Sequence, residues 1–106
     1  MVRNLGEFEQ KLMLAVIRLS GNAYGVKIRE EINERTGRDV AIGQIYTVLG
    51  RLERKGFVSS RMGDPTPERG GRAKKFYRIT AKGQKALQQS QLAFARLSEG
   101  LEPATA

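Results

Sequence analysis

Between residues 7 and 20 the apolar side chains Phe8, Leu12, Ala15, Val16 and Leu19 recur every three or four positions. That period is the signature of a helix turning one face to a core. Ser20-Gly21-Asn22 ends it. A second helix is predicted over residues 24–36, with Tyr24, Ile28 and Ile32 inward, Lys27, Arg29, Glu30 and Glu34 outward, and Gly37 as the C-terminal break. A third, over residues 42–55, puts Ile42, Ile45, Tyr46, Leu49 and Leu52 on one stripe and Gln44, Thr47, Arg51 and Arg54 on the other, and stops at Gly56. The period then falls from 3.6 to 2. Residues 57–62 and 74–79 alternate like strands, separated by a stretch rich in Gly, Pro and charge. Asp64-Pro65-Thr66-Pro67 and Gly70-Gly71 cannot continue a strand, because Pro lacks a donor and paired Gly is conformationally loose. Thr80 suits the N-cap of a fourth helix over residues 81–97 or beyond, and residues 103–106 read as frayed.

Three helices, a hairpin and a helix make an α+β chain that is mainly α. Two short helices joined by a few residues, the second amphipathic and basic, match a helix-turn-helix, and the basic hairpin after it is a wing. The expected organisation is a winged helix-turn-helix over residues 1–80, a C-terminal dimerisation helix over 81–101 in the same compact unit, and a flexible tail over 102–106.

Composition narrows the chemistry. The chain has 106 residues and neither His nor Cys, which removes disulfides, thiol nucleophiles, imidazole bases, Ser-His-Asp triads and the usual zinc sites together. The expectation is a protein that is not an enzyme and needs no cofactor or metal. The longest nearly apolar run, residues 12–17, is far short of the ~20 residues of a membrane span. Glu7 and Glu9 fall where the apolar stretch of a secretory leader would begin, so a cytoplasmic location is expected. The formal charge is +8, and the surplus is concentrated: residues 51–78 hold nine cations and three carboxylates, a net +6. A solvated charged face is the plain explanation. Concentration on one helix and one hairpin favours a polyanionic partner, double-stranded DNA.

The major groove, about 12 Å wide, admits one α-helix carrying short polar or bidentate side chains near its start and cations along its flank. In the third helix Gln44 suits an adenine edge, the Thr47 methyl a thymine and its hydroxyl a phosphate or base, and Arg51 a guanine edge or a phosphate. Gly43 either lets the backbone approach a phosphate or is a tolerated first-turn residue. The Tyr46 ring belongs to core packing, with its hydroxyl able to reach a phosphate. Gly50 has no functional account. On the wing, Arg72, Lys74 and Lys75 form the densest cationic stretch, suited to a phosphate backbone or a narrow minor groove. A nucleotide-binding loop is the rival use of Gly70-Gly71, but neither GxGxxG nor GxxxxGK[ST] is present. Other rivals are a non-specific nucleic-acid module and a winged helix that binds only protein.

Along the fourth helix Leu87, Phe94 and Leu101 stand seven apart, with Ser90 and Leu97 between them, a short heptad seam. Its cover is either a groove in the same chain or a second copy, and the two-fold reading of DNA half-sites favours a homodimer.

The segments LGEFEQKLMLAVIRL, AYGVKIREEI, IGQIYTVLGRLERKGFV and GGRAKKFYRITAKGQKAL together resemble the PadR family of bacterial transcriptional regulators, from residue 5 to about residue 97. The resemblance implies a winged-helix homodimer that represses transcription, with Tyr46 and its neighbours on DNA and the wing on the backbone or minor groove. Arg72, Lys74 and Tyr77 match the family's wing pattern, Tyr77 equally as a fold residue. Ala41 stands where many members have Ser or Thr, and Thr47 where many have Pro. With one helix after the wing, the chain resembles the family's short subgroup. Regulators of this family often respond to small apolar or phenolic effectors; Phe8, Met13, Tyr24 and Phe94 are the candidate lining here, with core packing as their ordinary use.

Overall fold

The computed structural model describes residues 5–63 and 74–101. In chain order the elements are α1 (Glu7–Leu19), α2 (Gly25–Thr36), α3 (Ile42–Arg54), β1 (Val58–Met62), β2 (Lys75–Ile79) and α4 (Ala81–Ser98). Each lies within two residues of its predicted bounds, and the cause of each end is local. At the start of α1 the Glu9 carboxylate accepts the Gly6 N–H at 2.9 Å, satisfying one of the helix's orphan donors. At the end of α2, Gly37 takes the left-handed conformation at φ 70° and donates its N–H to Asn33 O. The link to α3 is clamped from α2. Arg29 Nε donates to Val40 O at 2.6 Å, while the Asn33 side-chain oxygen accepts the Val40 N–H at 2.8 Å. These bonds fix where α3 begins, although its N-cap, Ala41, has no side chain able to cap.

Strands β1 and β2 pair antiparallel, from Val58 opposite Ile79 to Met62 opposite Lys75. The alternation puts Ser60, Tyr77 and Val58 on the face turned to the helices, and Val58 and Tyr77 are buried. Tyr24 departs from expectation. It precedes α2 as its N-cap and makes a β-bridge to Phe76, and next to it the Tyr77 N–H donates to Ala23 O at 2.8 Å. The α1–α2 turn thus acts as a third, minimal strand on the hairpin's edge.

Helix α4 is fastened at its root. Thr80 accepts the Gly83 N–H at 3.0 Å, as the predicted cap, and donates its hydroxyl to Gly56 O at 2.6 Å. A β-carbon on Gly83 would collide with the Phe57 carbonyl, so only glycine lets α4 cross there. Leu12, Met13, Ile28, Ile45, Leu49, Leu52 and Val58 are fully buried at the centre. Leu87 and Ser90 correct the predicted seam: at 4% and 5% exposed both are buried against the chain's own body, Leu87 in the core with Ala86, because α4 still lies against the body at these turns. Ile42, predicted on the core stripe, is partly exposed, since the first turn of α3 overhangs the core.

Candidate nucleic-acid interface

Helix α3 presents Gly43, Gln44, Tyr46, Thr47 and Arg51 on its exposed face, while Ile45, Val48, Leu49 and Leu52 anchor the other. The buried stripe fixes the helix's rotation, so one face stays open to a ligand. Around Gly43 the space is empty: a β-carbon there would meet nothing within 4 Å. Thr47 is partly committed. Its hydroxyl donates to Gly43 O at 2.9 Å, which leaves the methyl and an acceptor lone pair for outside contacts.

The Tyr46 ring departs from the expected core packing: it is 49% exposed, because it stands on the open face of α3. It lies on the first residue of α2, where a β-carbon on Gly25 would overlap the ring and its hydroxyl. This contact makes one wall of an open cleft of about 630 Å³ between α2, α3 and β2, lined among others by Tyr24, Lys27, Tyr46, Lys74 and Lys75. Periodicity places Lys27 on the outer face of α2 without a role and says nothing of Gly25. A glycine opening a helix beside an aromatic cap is the signal that would have found them.

The two described wing lysines differ in environment. Lys74 Nζ sits 4.3 Å from the centroid of the Tyr24 ring, which meets Phe76 edge-on at 5.6 Å, and the Arg61 guanidinium lies 4.9 Å from the Phe76 centroid. This ladder holds Lys74 over the cleft without neutralising it. Lys75 lies 3.6 Å from Glu53, whose carboxylate also accepts the Ser60 hydroxyl. Part of the Lys75 charge is therefore already answered within the protein. Arg72 lies outside the described residues, as does most of the predicted wing tip. Burial pushes the Tyr77 phenol up from its ordinary value, in keeping with a fold residue.

At the far end of α4, Phe94, Leu97 and Leu101 are 74%, 82% and 71% exposed, and Leu92 is exposed beside them. Leu14 and Ile17 on α1 are also exposed. The four side chains considered as an effector lining do not converge. Met13 is wholly in the core, Phe8 packs against it, Tyr24 is held on the hairpin and Phe94 stands in solvent. Among the described residues no helix is long and apolar enough to cross a membrane.

The sequence matches the model of the transcriptional regulator PadR-like family over residues 13–89. It is 34% identical over 83 residues to an uncharacterised protein of Lysinibacillus sphaericus, a match spanning 76% of this chain and 73% of that one. Among solved structures it is similar to a PadR-like transcription factor from Bacteroides fragilis, with TM-score 0.73, 24% identity and coverage of 87% of this chain and 84% of that chain. A transcriptional regulator from Clostridium thermocellum gives TM-score 0.71 and 22% identity, covering 86% of this chain and 85% of that chain. At these identities the structural likeness carries the winged-helix fold.

Proposed function

The chain belongs to the PadR-like family of transcriptional regulators, and from that premise we propose that it is a sequence-specific DNA-binding repressor. It acts in the cytoplasm as a homodimer on a pseudo-palindromic operator, with α3 in the major groove and the wing on the backbone or minor groove. The observation that carries this reading is the exposed face of α3. Gln44, Thr47 and Arg51 stand free of the core on a helix whose rotation is fixed, and Lys74 is poised one cleft away. Base readers thus sit beside a phosphate contact, the division of labour that a specific protein–DNA interface needs.

The exposed Phe94, Leu97 and Leu101 support the dimer. Burying a large apolar side chain is worth roughly 1.5–3 kcal/mol, and two copies of this seam bring six of them together. Two recognition helices must then stand about one DNA turn apart, ~34 Å, to enter successive major grooves. A dimer of this kind represses by occupying DNA that the polymerase needs.

The test is selection of bound sequences from random duplex DNA at physiological salt. A palindromic site preferred at least ~10³-fold over random DNA is expected. A steep salt dependence without that preference would point to a non-specific nucleic-acid module. Binding to no duplex would leave a protein-interaction domain.

A further inference from the structure

Helix α4 is held to the body only over its first half. Gly83, Ala86, Leu87 and Ser90 are its buried residues, and from Gln91 to Leu101 every residue is exposed except the half-buried Ala93. Ser90 is therefore the last fastening point, and it is a polar one. Its buried hydroxyl oxygen accepts the Leu5 N–H at 2.9 Å. The next residue, Gly6, donates its N–H to Glu9 Oε1 at 2.9 Å, and Glu9 Oε2 pairs with Lys55 Nζ at 3.0 Å. Lys55 is the C-cap of α3, one turn after Arg51, to whose carbonyl its own N–H donates at 3.1 Å. A short polar path thus runs from the root of the exposed seam to the end of the helix proposed to read DNA.

We propose that Ser90, Glu9 and Lys55 are positioning residues that set the half-site spacing the dimer accepts, by fixing the angle between α4 and α3. This rests on the homodimer reading above. Geometry supplies the leverage. From Ser90 to Ser98, where α4 ends, the helix extends ~12 Å at 1.5 Å per residue, so a tilt of about 10° at Ser90 moves the seam by ~2 Å. Doubled across a two-fold axis, that is ~4 Å, slightly more than one base-pair step of ~3.4 Å. Apolar contacts of Ala86 and Leu87 tolerate such a tilt, because they are not directional. The hydrogen bond at Ser90 and the ion pair at Glu9 do not, because each has a narrow working geometry.

The absence of cysteine makes the test direct. A single Arg38→Cys substitution, in the exposed turn before α3, takes one spin label per protomer, and pulsed electron resonance reads the distance between the two labels. The labelled full-length protein is expected to give one narrow distance. Ser90→Ala or Glu9→Gln should shift it by ~4 Å, or broaden it by that amount. On duplexes carrying the selected site with one or two base pairs inserted between the half-sites, the penalty per insertion should fall at least threefold in the variants. Affinity for an isolated half-site should stay unchanged. Variants that melt at a lower temperature yet keep the parental distance and the parental insertion penalty would overturn the proposal and reduce the path to a structural tie. A parent that shows no inter-label distance, because it is a monomer, would overturn the homodimer reading and this proposal with it.

Discussion

Gly43→Ala should move stability and DNA affinity in opposite directions. The residue is the second of α3, and a β-carbon placed on it meets nothing within 4 Å. Inside the protein the added methyl therefore has only one effect, which is to restrict the unfolded chain. Ala is favoured over Gly in a helix by up to about 1 kcal/mol, and near the first turn about half of that is a reasonable yield. In a domain of this size ~0.5–1 kcal/mol raises the melting temperature by roughly 2–8 °C. The hydrogen bond from Thr47 to the Gly43 carbonyl survives, since that carbonyl keeps its place.

On DNA the same methyl occupies the space through which a phosphate or base edge reaches the helix backbone. Losing van der Waals closeness along that turn should weaken specific binding at least tenfold, the equivalent of ~1.4 kcal/mol. Thermal denaturation and equilibrium binding to the selected site, at one salt concentration, read both quantities from one preparation. A raised melting temperature with unchanged affinity would refute close approach at this turn and leave Gly43 as a tolerated helix residue. A lowered melting temperature would refute the open space itself.

Lys74→Ala should reduce the magnitude of the salt slope of binding by ~1, as expected for a phosphate contact, whereas Lys75→Ala should reduce it by clearly less because Glu53 already holds part of that charge; equal slopes would refute the distinction. Gly83→Ala should destabilise by about 3 kcal/mol or prevent folding, since its β-carbon would strike the Phe57 carbonyl, and a circular-dichroism melt within a few degrees of the parent would contradict that. Phe94→Glu with Leu97→Glu should give a folded monomer by sedimentation that loses site-specific binding far more than non-specific binding, and a variant that still sediments as a dimer would move the interface elsewhere. Burial pushes the Glu9 carboxyl up, but the Gly6 N–H, Lys55 and Arg51 outweigh it and hold the group below its ordinary value; its stabilising effect is present above about pH 4.5, vanishes as pH falls through the lowered folded value, and should be missing from acid titrations of Glu9→Gln.

How far the chain could be read from its letters depends on how far apart in sequence the interacting residues lie. Helices α1 to α3 were legible because each declares itself within one window: Ile45, Leu49 and Leu52 set the buried face of α3, and Gln44, Thr47 and Arg51 follow as its exposed face. The cap at Thr80 was legible for the same reason, its partner Gly83 lying three residues on. Leu87 was misassigned because a heptad pattern identifies the stripe of α4 but not the point where the helix leaves the body, which depends on Phe57 and Ser90. The seat of Tyr46 on Gly25 joins two elements through a missing side chain, and a glycine carries no pattern of its own. Least legible was the path from Ser90 to Lys55. Its ion pair joins residues 46 apart and its hydrogen bond residues 85 apart, while Glu9 alone reads as an ordinary acidic residue in a helix's first turn. Periodicity thus reports surfaces that one helix makes by itself, whereas the angle between two helices is written in single polar residues, each of them unremarkable until its partner is known.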